Sequence, residues 1–244
     1  MQGWSIFTHS VGLAARNWKE ALKIFLVPVS LCVLLFVVVG GALGLTSAGE
    51  PSGSFGLVFL LLPIVLIVAF WSVVSWHRFV LLEEYPVGWI PPFRFDRILS
   101  YLGHGLLLGL VSFVLMLPIV AVIALLAATG IEALAFVIAI PAYIALIVIM
   151  YRLVPILPAA AIGKPLKLME SFNATKGANG AIIVLLLVLF AVNFGVQLVV
   201  MALTALLAPL GILFSLVASL FLSIVNISVL TTFYGLYIEG RSID

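Results

Sequence analysis

The residues with most chemistry to offer are five cations and three amides. Arg78 and Arg152 each close a long apolar run, and Lys164, Lys167 and Lys176 follow the second of them on one polar stretch. Cations gathered at one depth of a membrane protein suit the holding of lipid phosphates, an arginine through paired donors and a lysine as a point charge. The same residues suit plain anchoring, in which basic side chains snorkel to the interface and fix topology. Residue type alone leaves both readings open. Asn193 and Gln197 are four apart and share a helix face, and Asn226 shares one with Ser223. Amides in apolar helices make interhelical hydrogen bonds of about 0.6–2 kcal/mol each, or line a substrate path.

Other chemistries find no support. The sequence shows no Ser/His/Asp set, H-E-x-x-H, P-loop or glycine-rich dinucleotide loop, so no catalytic residue is assigned and no cofactor is expected. His9, His77 and His104 fall at the edges of apolar runs in different connectors, without a matching set of acids or thiols, and no metal site is expected. Cys32 is the single cysteine, which excludes an intramolecular disulfide. A net charge of +2 speaks against a general nucleic-acid role. The apolar cores contain no Asp, Glu, Lys, Arg or His, which argues against proton-coupled transport, intramembrane metalloproteolysis and voltage sensing.

The elements that carry these residues follow from composition. With 65% hydrophobic and 8% charged residues, 244 residues lack the polar surface to cover a soluble core, so the solvent is a bilayer. Six apolar runs are long enough to cross it, approximately 24–45, 56–76, 105–127, 133–151, 181–206 and 211–233. The turns after the first, third and fifth are short, TSAGEPSGS, ATGIE and LAPLG, and pair the runs into three hairpins. The connectors on the other side are longer and polar. All eleven Lys and Arg fall on that side, while the outer turns carry only Glu50 and Glu132. Basic residues resist translocation, so both termini are expected in the cytoplasm. The run at 24–45 is too long for a cleaved signal and reads as a retained first crossing.

Residues 3 to 20 read as an interfacial helix with Trp4, Phe7, Val11, Ala15 and Trp18 on one stripe and Ser5, His9, Gly12, Arg16 and Lys19 on another. Pro28, Pro63, Pro118 and Pro141 lie inside crossings, where they kink helices or serve as hinges. Subtracting 74 takes Arg152 to Arg78, Pro165 to Pro91, Glu170 to Asp96 and Gly177 to Gly103. The pattern implies parallel units: an Arg closes a run, a Pro opens an amphipathic segment, and a Gly ends it before the next run. The expected fold is therefore all-α and polytopic. Six transmembrane helices form one membrane domain over 1–244, with repeat-like units of approximately 1–85, 86–160 and 161–244, each hairpin preceded by an interfacial helix.

The segment LPAAAIGKPLKLMESFNATKG, residues 157–177, resembles a widespread group of bacterial six-helix membrane proteins, the YciC-like proteins and the membrane part of some glycerophosphodiester phosphodiesterases. The likeness covers the hairpin layout and this connector. It implies a six-helix fold and carries over neither enzymatic activity nor site residues, because the soluble catalytic barrel has no counterpart here. The functional expectation is a non-catalytic protein of a bacterial inner membrane, a scaffold or helper in envelope lipid or membrane-complex homeostasis. A lipid or small-molecule transporter is the alternative. The expected partners are anionic membrane lipids and other membrane proteins or a second copy.

Overall fold

The computed structural model describes residues 2–46 and 52–243, without the side chains of residues 36, 39–60 and 132. The first outer turn with Glu50 and the Glu132 side chain lie outside the described residues. Among those described there is no strand. The helices are α1 (Gln2–Arg16), α2 (Trp18–Thr46), α3 (Ser52–Leu82), α4 (Phe95–Ala128), α5 (Glu132–Leu153), α6 (Ile156–Ile162), α7 (Leu168–Ala174), α8 (Asn179–Leu206) and α9 (Ala208–Tyr237). Among the described residues five stretches, Leu61–Leu82, Phe95–Ala128, Ala133–Ile162, Asn179–Leu206 and Ala208–Tyr237, are long and apolar enough to cross a bilayer, as in a multi-pass membrane protein. The outer part of the first apolar run, in α2, lies outside the residues whose side chains are described.

Helices adjacent in sequence pack along each other, α2 on α3, α4 on α5 and α8 on α9. Among the described residues the contacts between pairs gather toward one end, here called the base. There α1 lies against α8 and α9, α3 touches α4 and α9, and α6 is wedged among α3, α4 and α9. The buried residues of the long helices gather at that end: Trp71 to Leu81 in α3, Ile98 and Tyr101 in α4, Ile182 and Leu185 in α8, and Val225 to Tyr234 in α9. Away from the base, large apolar side chains such as Phe113, Phe136, Phe194 and Phe221 are exposed. Surfaces this apolar need lipid or another membrane helix over them.

The protein-facing side of α1 is Gly3, Ile6, Phe7, Ser10 and Ala14, a helical stripe of small residues framing two large ones. It is rotated from the expected aromatic stripe: Phe7 is buried, whereas Trp4 and Trp18 are exposed. Burying Ile6 and Phe7 contributes about 1.5–3 kcal/mol each relative to exposure to water. Gly3 is required by proximity, since a Cβ there would meet the Ala181 carbonyl oxygen, with Leu185 N at 2.8 Å and Val184 Cβ at 2.9 Å.

The two connectors that align at an offset of 74 fold differently. After α5 come two short helices; the second ends at Ala174, and Gly177, at φ 91°, lies in the turn that leads into α8. After α3 the chain runs irregularly from Glu83 to Arg94, and Asp96 to Gly103 is simply the first turns of α4. No separate amphipathic helix precedes that helix pair. An isolated glycine lowers helix stability by about 1 kcal/mol and does not end a helix that apolar residues continue, which is why Gly103 leaves α4 unbroken.

Candidate functional site

The polar residues of the base fall into three groups, and the first is a layer of hydroxyls. Ser228, Thr231 and Thr232 share a face of α9 and meet three different partners. Trp76 Nε1 donates to Ser228 Oγ at 3.0 Å, His77 Nδ1 is 2.7 Å from Thr231 Oγ1, and Thr232 and Ser10 are bonded at 3.1 Å. The Thr231 hydroxyl donates to the Ile227 carbonyl at 2.9 Å, so it accepts from histidine, and His77 is the Nδ1–H tautomer. Among the described residues its Nε2 has no hydrogen-bond partner. His77 is fully buried inside the apolar stretch Leu61–Leu82. The end at 76 drawn from apolarity left His77 outside the run, whereas α3 continues six residues further, to Leu82.

Glu84 organises the second group. Its Oε2 lies 2.6 Å from Arg78 Nη2 and 2.7 Å from Arg78 Nε, and its Oε1 accepts from Arg94 Nη2 at 2.5 Å. Arg78 Nη1 also donates to the Ala161 carbonyl of α6 at 3.2 Å. Burial raises the Glu84 pKa, and the hydrogen bonds and charges of Arg94 and Arg78 outweigh it, holding the carboxyl below its usual range. Arg78 is thus the clasp between α3, its following loop and α6. Trp71 Nε1 donates to the Pro92 carbonyl at 3.3 Å and fixes the same loop, whose Val87, Trp89 and Ile90 are exposed. The sequence places Glu83 and Glu84 where they can pair with Arg78 or with the basic residues of the next connector, and Glu84 does both; the exposed apolar loop leaves only the WIPPF run as its trace.

Arg152 belongs to the third group and has different company. The α5 helix ends with carbonyls that need donors, and α7 supplies them: Ser171 Oγ donates to the Arg152 carbonyl at 2.9 Å, with Thr175 Oγ1 at 3.2 Å from it. In return Arg152 Nη2 donates to the Phe172 carbonyl at 2.6 Å, Nε reaches Thr175 Oγ1 at 3.4 Å, and the guanidinium stacks 3.6 Å over the Phe172 ring. Among the described residues no carboxylate lies within ion-pair distance of Arg152. Beside it a groove of about 440 Å³ runs between α5 and α8.

Comparison with family models, curated proteins and solved structures finds no match to the chain. The site therefore has to be read from its own chemistry. Arg78 and Arg152, equivalent by spacing, share no partner: one is neutralised by Glu84 and the other faces the groove. Lys164 and Lys167 are exposed, 3.8 Å from Glu239 and from Glu170 respectively. Lys176 is exposed on the turn into α8. The amides depart from the expected interhelical bonds. Asn193 is exposed and donates to Leu189 of its own helix at 2.8 Å, while Gln197 and Asn226 are exposed without a hydrogen bond to another described residue. Periodicity tells which residues share a face, and the neighbours that cover a face are decided by packing elsewhere.

Proposed function

We propose that the chain is a non-catalytic multi-pass protein of a bacterial inner membrane, acting as a scaffold or helper in envelope lipid or membrane-complex homeostasis. In this reading α2 supplies a sixth crossing, the helix pairs are three hairpins in repeat-like units, and the base with both termini faces the cytoplasm. α1 lies at headgroup level, its exposed Trp4 and Trp18 in the interface. The resemblance to the YciC-like proteins belongs to the same proposal, with membrane lipids and other membrane proteins as partners.

The observation that carries it is the contrast between a locked base and open outer halves. Hydroxyls, Glu84 and the small residues of α6 tie the hairpins together at one end, while the other end leaves apolar faces to be covered from outside. A protein so built offers surface to hydrophobic partners more than it encloses a path. The transporter alternative asks for polar groups around a cavity, and Asn193, Gln197 and Asn226 do not line the α5–α8 groove. The test is purification of the full chain from native membranes in mild detergent, with mass spectrometry of everything bound. Defined lipids or a membrane protein in fixed ratio are expected. A chain that emerges free of both, and supports solute flux when reconstituted, overturns the reading.

A further inference from the structure

We propose that the groove between α5 and α8 binds one anionic phospholipid, with an acyl chain along α5 and the headgroup phosphate on Arg152. The inference rests on the reading of the chain as a membrane protein whose base lies at headgroup level. Pro141, Ile144, Ala145, Val148 and Ile149 recur at helical spacing and form one wall, and Ile183 of α8 stands opposite. Arg152 lies at the end of that wall in the last turn of α5, level with Asn179 in the first turn of α8. A volume of about 440 Å³ is within the range of small-molecule sites.

The dimensions and the charge select the occupant. Pro141 and Arg152 are eleven residues apart, about 16 Å along a helix, which is half of a hydrocarbon core of ~30 Å and so the depth of one leaflet. The wall offers an apolar chain contact along its length and a cation where the chain must end. Phe172 fixes the guanidinium from beneath and takes one Nη2 donor through its carbonyl. Among the described residues nothing takes the Nη1 donors, which leaves them for phosphate oxygens in the planar geometry that pairs well with them. Arg78 has no such capacity, since Glu84 and Ala161 engage its donors. Lys176, exposed three residues before Asn179, adds positive charge at the same end.

The test is native mass spectrometry of the full chain in dodecyl maltoside, titrated with phosphatidylglycerol. A saturable first binding event is expected, weakened at least tenfold by Arg152→Gln. Ala145→Trp is expected to weaken it by a similar factor, because Ala145 is exposed on the groove wall and the larger side chain fills the groove without entering the core. Lys164→Gln should bind like wild type, and millimolar inorganic phosphate should leave the lipid in place. Wild-type binding by either Arg152→Gln or Ala145→Trp overturns the proposal, as does displacement by inorganic phosphate, which would mark a free-anion site. If Arg152→Gln does not fold, Ala145→Trp decides alone. Lipid held equally by wild type and both variants sinks the groove and leaves the helper reading standing; a chain that emerges from native membranes free of lipid and protein, and supports solute flux when reconstituted, sinks both.

Discussion

Removing the charge of Glu84 while keeping its shape, as Glu84→Gln, should loosen the base more than any other single change among its ion pairs. The carboxylate serves two arginines unequally: the Arg78 side chain is 13% exposed and Arg94 is 46% exposed, with Glu84 itself at 24%. Stripping the acid from a fully buried pair costs about 3–5 kcal/mol, and an exposed pair is worth about 0–1 kcal/mol. Solvent reaches Glu84, so its loss should cost about 2–3 kcal/mol, nearly all of it through Arg78, which keeps only the Ala161 carbonyl. Arg94→Gln should then cost about 0.5–1 kcal/mol. The pH dependence has a fixed sign. Because the folded carboxyl has a lowered pKa, its stabilisation is complete above the unfolded value of about 4.3 and is lost as pH falls through the lower folded value. Glu84→Gln should flatten that acid limb. Unfolding by sodium dodecyl sulfate in mixed micelles, followed by tryptophan fluorescence, reads both effects, since Trp71 holds the same loop. A Glu84→Gln variant within 0.5 kcal/mol of wild type, or an Arg94→Gln variant equally damaged, would refute the reasoning.

Gly3→Val should displace α1, because its side chain has no room against Ala181 and Leu185; a loss of about 1–3 kcal/mol is expected, with faster proteolysis near residue 16, and unchanged proteolysis and stability would contradict it. Thr231→Val should cost about 1–3 kcal/mol by leaving the buried Nδ1–H of His77 without an acceptor, whereas Thr231→Ser should stay within 1 kcal/mol of wild type. Equal stability of the valine and serine variants in the same micelle assay would count against the assigned tautomer.

Helix content was open to reading because apolar runs of spanning length have few other outcomes. Five of the expected crossings coincide with helices long and apolar enough to span, with ends shifted where a helix continues past buried polar residues. His77 is an example: with Arg78 it interrupts the apolar run, but Phe79, Val80, Leu81 and Leu82 resume it and α3 continues to Leu82. The spacing of 74 pairs Arg78 with Arg152, but α3 continues past Arg78 to Leu82 whereas Arg152 lies in the last turn of α5, and their surroundings were not in the spacing. Glu84 reaches Arg78 from a loop six residues away, and Phe172 reaches Arg152 from α7, so one arginine is neutralised and the other is left facing a groove. The buried run of α6 was also hidden, since Pro158 and three alanines read as a polar connector's spacer until α3, α4 and α9 are seen closing around them.

The central claim is a base that faces the cytoplasm and ties together three hairpins crossing the membrane. Single cysteines at Lys164 and at Glu50, in a Cys32→Ser background, can be probed in intact spheroplasts with a membrane-impermeant maleimide. Labelling at position 50 from outside, with position 164 reactive only after lysis, is the predicted result. Labelling of position 164 in intact spheroplasts, with position 50 protected, would invert the protein and contradict the account.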